Sequence, residues 1–128
     1  IIGLVGSPIC YFMISKVKQH FGYDDALDAF GCHGVGGIWG GIATGLFAQT
    51  SINGVAKWNG LFFGDTQLFV AQIISILVTI VVAIIGTLIC IGIVKLFTTL
   101  RVDKRDEQVG LDMAEHNETA YPSFNGLD

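Results

Sequence analysis

The chain has 128 residues, of which 52% are hydrophobic and only 14% charged, and its mean hydropathy is +0.62. A soluble domain carries about a quarter charged residues, so this composition excludes one, and no basic patch is present to hold nucleic acid. The formal charge of −4 sits wholly in residues 101–128, where seven acids meet three bases, while residues 1–100 hold four of each.

The first apolar run, from Ile1 to about Val17, is interrupted only by Ser7, Ser15 and Lys16. It reads as a membrane segment in which Pro8 is tolerated, because neighbouring helices re-satisfy the freed backbone groups. The run opens without Met and its bases follow it, whereas a signal peptide carries them in front. The expectation is a truncated C-terminal piece of a longer protein. Lys16, Lys18 and His20 then mark a membrane interface, and Gly22, Asp24, Asp25 and Asp28 form a short loop.

A second segment is expected over Leu27 to Ala48, about 33 Å at 1.5 Å per residue. Asp24, Asp25 or Asp28 could each cap its N-terminus, since a carboxylate accepts the free amides and suits the dipole there. The loop from Gln49 to Thr66 carries Asn53, Asn59, Trp58, Phe62 and Phe63, and its aromatics suit a membrane–water interface.

The third segment begins near Gln67 and stays apolar to Phe97; Leu68 to Val94 contains no charged residue. At about 45 Å it exceeds a hydrocarbon core of about 30 Å, so it should tilt or project. Gln72, Ser75, Thr79, Ala83, Gly86 and Cys90 trace one helical face. That small and polar stripe should pack on protein, leaving Ile73, Ile76, Ile80, Ile84 and Ile91 for lipid or another subunit.

Three crossings put Lys16, Lys18, Lys95, Arg101, Lys104 and Arg105 on one side and Lys57 alone on the other. The positive-inside bias makes the first loop and the tail cytoplasmic. From Val102 onward the chain is polar and acidic, disordered alone or ordered by docking. The fold class expected is therefore all-α: a polytopic membrane fragment with three transmembrane helices in residues 1–100 and a cytoplasmic C-terminal tail in residues 101–128.

Seven of the 17 glycines lie between Gly31 and Gly45. Each costs about 1 kcal/mol in a water-exposed helix, but in hydrocarbon an unpaired amide costs several, so the helix forms regardless. Gly37, Gly41 and Gly45 make one i, i+4 ladder, and Gly36, Gly40, Thr44 and Ala48 a second, which lets neighbours approach the backbone closely. A dinucleotide fingerprint started at Gly34 fails at Trp39, and no Lys occurs between residues 19 and 56 to complete a P-loop. His33 lies on the ladder face about 9 Å inside the segment. An ionisable side chain at that depth faces the bundle interior or a cavity, either as a functional group or as an interhelical hydrogen-bonding histidine. No second ligand at zinc spacing accompanies it except Cys32, so neither a metal nor a cofactor is expected. Cys10, Cys32 and Cys90 read as small hydrophobes.

The string Asp24-Asp25-Ala26-Leu27-Asp28-Ala29-Phe30-Gly31-Cys32-His33-Gly34-Val35-Gly36-Gly37, continuing to Thr44-Gly45-Leu46-Phe47-Ala48, strongly resembles the tenth membrane helix of the ammonium transporter (Amt/Mep/Rh) family. The other segments then resemble helices nine and eleven of that eleven-helix fold. The tail, with Gly110, Leu111, Asp112, Glu115, His116, Glu118 and Tyr121, resembles the family's cytoplasmic C-terminal motif, except that Asn117 stands where Gly is more usual.

The resemblance implies a homotrimer in the plasma membrane with one pore per subunit, conducting ammonium or ammonia rather than catalysing a reaction. His33 matches one of two pore-lining histidines, Asp28 an acid at the cytoplasmic end of the helix, and Ala29 a pore-mouth position usually held by a larger apolar residue. For Asp28, helix capping and substrate contact both stay open. The tail implies coupling between subunits and a PII-type regulatory partner. The alternative is an ammonium sensor signalling through its C-terminal region. A sensor usually appends a signalling domain, and this chain ends 28 residues past Leu100, which favours transport.

Overall fold

The computed structural model describes residues 1–118, and every element in them is helical, with no strand. The chain divides into two compact units, Ile1–Ala83 and Ile84–Asp128.

In the first unit, α1 (Ile2–Phe12) passes into a π-turn (Met13–Val17) and then α2 (Lys18–Phe21) without a break, with Pro8 inside α1. The run outlasts the expected end at Val17 because nothing in Lys18-Gln19-His20-Phe21 opposes a helix. Gly22 stops it in the left-handed region, φ 62°, with its N–H donating to the Lys18 carbonyl at 2.8 Å.

A second π-turn (Phe30–Val35) leads into α3 (Gly36–Phe47). The second helical run therefore starts three residues later than Leu27, since Asp28 stands at φ 53°, outside helical geometry. Beyond α3, the Gly60 N–H donates to the Ala48 carbonyl at 2.7 Å, and the Asn59 side chain accepts from both the amide and the hydroxyl of Thr50. A 3-10 turn (Leu61–Phe63) sets Phe62 against Phe47, ring centroids 5.1 Å apart.

The longest helix, α4 (Gln67–Val94), has 28 residues and is the one helix among the described residues long and apolar enough on its own to cross a membrane. The other two expected segments are helical, but the first is divided by its π-turn and the second begins with one.

Packing in the first unit rests on absent side chains. The buried residues among those described are Gly31, Ala43, Gly45 and Gly60. A Cβ on Gly6 would stand 2.9 Å from the Trp39 ring, whose Nε1–H donates to the Ile2 carbonyl at 3.0 Å; one on Gly36 would meet Cys10 Sγ at 3.2 Å. These contacts seat α1 on α3. On another side of α3, a Cβ on Gly41 would meet Ile76 Cδ1 at 2.9 Å, and one on Gly45 the Phe69 Cα at 2.9 Å. Ile76 was expected to face lipid or another subunit, yet it packs on a glycine of the same chain beside Gln72, while Ser75 and Thr79 are exposed. A bare glycine backbone accepts a branched side chain as readily as a small one, so this contact surface mixes the two stripes.

In the second unit, α5 (Lys104–Val109) and α6 (Leu111–His116) pack on each other across Gly110, which has φ 104°. An Arg101–Glu107 ion pair lies on the surface. Asn117, at φ 51°, closes α6 with its N–H on the Met113 carbonyl at 3.2 Å.

Candidate functional site

His33 lies within the π-turn Phe30–Val35, where the backbone is wound more loosely than in an α-helix. Its side chain is exposed. One turn further on, Gly37 has no atom of the chain within 4 Å of where a Cβ would stand, and neither has Gly40. Thr44 is exposed too, its hydroxyl turned back onto the Gly40 carbonyl at 2.9 Å.

The steps from 33 to 37, 40 and 44 follow one helical face. The ladders expected from sequence thus divide by what each position meets. Gly36, Gly41 and Gly45 take contacts from α1 and α4, while Gly37 and Gly40 stay clear in line with the imidazole.

At the start of this helix, Asp25 is the capping residue. Its two carboxylate oxygens accept the N–H groups of Ala29 at 2.8 Å and Phe30 at 2.9 Å, two of the orphan donors every helix start leaves. Asp28 does something else: its Oδ1 accepts from Lys18 Nζ at 2.5 Å, and the same ammonium donates to the Asp25 carbonyl at 2.5 Å. Lys18 is held above its ordinary pKa of 10.5, first by the hydrogen bond it donates to Asp28 and further by the charges of Asp28 and Asp25, against partial desolvation. The Asp28 carbonyl accepts the Cys32 N–H at 3.0 Å, and Ala29 is exposed between these groups.

Of the sequence-predicted residues, Asp28, Ala29 and His33 are thus brought together over one and a half turns. Lys18, read from sequence as an interface base, and Ile14, not singled out, touch the same stretch. Sequence placed Lys18 at the membrane interface but gave no sign that it meets Asp28, ten residues on.

In the tail, Gly110, Leu111, Asp112, Glu115, His116 and Glu118 occupy α6 and its two ends. A side chain on Gly110 would meet Asp112 Oδ1 at 2.7 Å, and the Glu118 N–H donates to the Asp112 carbonyl at 3.0 Å. Tyr121 lies outside the described residues. No group of three or more His, Cys, Asp or Glu among the described residues is arranged to hold a metal ion.

The family model of the Ammonium Transporter Family matches residues 1–121. An ammonium transporter of Bacillus subtilis is 51% identical over 121 residues, covering 94% of this chain and 30% of the relative. The ammonium transporter Amt1 of Archaeoglobus fulgidus is 41% identical over 122 residues, covering 94% and 30%. An ammonium transporter of Corynebacterium glutamicum is 35% identical over 128 residues, covering 98% and 28%. The chain therefore spans under a third of the length of these relatives. No solved structure matches it.

Proposed function

Because the chain belongs to the ammonium transporter family, we propose that it supplies the final three membrane helices and the cytoplasmic tail of a protein that moves ammonium or ammonia across the plasma membrane. Residues 1–100 are the membrane part, in which α4, the first run up to about Val17 and the run from Phe30 to Phe47 each cross the bilayer, and residues 101–128 are the tail. The relatives carry the names of transporters, not of enzymes, in keeping with a pore in which no covalent bond to carbon is made or broken.

The observation that carries this reading is the position of His33. Its ring heads an open face of the helix, above Gly37 and Gly40, while other faces of the same helix are packed on α1 and α4. Helices upstream of residue 1 would close that face into a passage, with a second histidine opposite His33.

The chemistry follows from charge. Moving an ion from water into an apolar passage is opposed by tens of kcal/mol in the idealised limit. Passage of the neutral species avoids that barrier, and a histidine can accept or donate a hydrogen bond to it without a fixed charge. Asp28, engaged by Lys18, shapes the cytoplasmic mouth, and the exposed Ala29 leaves that mouth wider than a bulkier residue would. The exposed apolar surface of residues 77–94 suits lipid and neighbouring copies in a homotrimer, and the tail is the surface for a PII-type regulator.

Uptake of labelled methylammonium by the full-length protein tests the reading. His33→Ala should lower uptake or relax selectivity against potassium at equal membrane content. Unchanged uptake and selectivity would refute a pore role for His33.

A further inference from the structure

We propose that Lys18 is a positioning residue for His33, acting as a clamp that holds the π-turn in register; this rests on the transport reading of His33. The observations lie along one short path. Gly22 turns the chain back at the end of α2, which carries the loop from Tyr23 to Asp28 past Lys18. The Lys18 ammonium then bridges two points of that loop, the Asp25 carbonyl and the Asp28 carboxylate, each at 2.5 Å. Both acceptors belong to residues that hold the helix start: Asp25 through its carboxylate on Ala29 and Phe30, and Asp28 through its carbonyl on Cys32.

Asp28 also stands at φ 53° without being glycine. Such a backbone is uncommon outside glycine, and asparagine and aspartate adopt it where surrounding contacts hold it. Lys18 supplies such a contact and lies partly shielded, the two side chains of the pair being 27% and 35% exposed.

The register matters because a π-turn differs from an α-turn by one residue. Reverting it would rotate the segment before the shift by about 100° relative to the helix beyond. The helix beyond is fixed, since Trp39, Gly41 and Gly45 are seated on α1 and α4. The rotation would fall on Phe30–Val35 and carry the His33 ring off the open face. One cation at the mouth, bound at Asp28, thereby holds an imidazole five residues further on.

The test uses the full-length protein reconstituted in liposomes, with methylammonium uptake measured against concentration at matched amounts of folded protein. Lys18→Met should lower the maximal rate about tenfold, as misplacement of a functional group does, with KM within about twofold of the parent. Lys18→Arg should restore most of the rate, because a guanidinium can also donate to both oxygens. A merely structural ion pair would change the folded amount and leave the rate per folded protein as it was. That result, or failure of Lys18→Arg to rescue, overturns the proposal. If Lys18→Met does not accumulate, Lys18→Gln takes its place with the same criteria. His33→Ala in parallel separates the two ideas: impaired His33→Ala beside normal Lys18→Met rejects the clamp alone, and normal uptake in both rejects the pore reading as well.

Discussion

Gly31 lies so close to Ile14 that a Cβ on the glycine would stand 2.6 Å from Ile14 Cγ1. The two residues belong to the two π-turns, Met13–Val17 and Phe30–Val35, which pack on each other. Their contact therefore sets how near the first helical run comes to the stretch that carries His33.

Replacing Gly31 with Ala forces either the Ile14 side chain or the backbone to move, and overpacking of this kind costs about 1–3 kcal/mol. Gly31→Ala should lower the thermal midpoint of the detergent-solubilised full-length protein. Adding Ile14→Ala should return part of the loss, giving a double variant more stable than the sum of the two single effects. Additive losses would mean that the two residues do not meet.

The remaining glycines should rank by what a methyl group would strike. At Gly60 the obstacle is backbone, the Leu46 carbonyl oxygen at 2.5 Å, whereas at Gly37 nothing of the chain lies within 4 Å. Gly60→Ala should sharply reduce folded protein in the membrane and Gly37→Ala should not. Gly37→Leu should still fold but obstruct the passage beneath His33, so uptake falls per folded molecule. Full uptake by Gly37→Leu would place the passage elsewhere.

Asn117 explains its own departure from the usual glycine of the tail motif. It sits at φ 51° and ends α6 through its N–H on Met113, a place where glycine is easiest and asparagine next. Asn117→Gly should leave amide exchange at residues 113–118 unchanged or slower. Asn117→Val should speed it severalfold, since a β-branched residue resists this backbone by about 1–2 kcal/mol.

Physical signals differ in how well they survive in a sequence. The helix Gln67–Val94 was legible because a charge-free run of that length has few alternatives. That Asp28, Ala29 and His33 lie near one helix start was legible because they fall within six residues of sequence. The face of α4 that packs was not, since periodicity separates two faces without saying which is covered, and Gly41 accepts Ile76. The capping carboxylate was undecided among three aspartates within five residues; backbone geometry assigns the role to Asp25 and gives Asp28 to Lys18. The π-turns left no sign at all, because an i→i+5 bond uses the same residue types as i→i+4. In the tail, the polar composition hid α5 and α6, two six-residue helices.

The Lys18 contact carries a defined pH dependence. Its folded-state pKa is raised above 10.5, chiefly by the Asp28 hydrogen bond. A raised value means that the folded state holds the proton more tightly, so the stabilisation is complete below 10.5 and is lost as pH climbs through the raised value. The stability difference between the parent and Lys18→Met should stay level from pH 7 to about 10 and shrink above that. A difference that already shrinks between pH 7 and 9 would contradict the contact.

Transport past this helix depends on where the His33 imidazole points. A cryo-EM structure of the full-length protein in lipid measures this directly. The expected result is the His33 ring within hydrogen-bond distance of a second histidine, from a helix upstream of residue 1, on the wall of a narrow apolar passage running over Gly37 and Gly40. A His33 ring turned to the acyl chains, or sealed in packed protein with no passage beside it, would contradict the account.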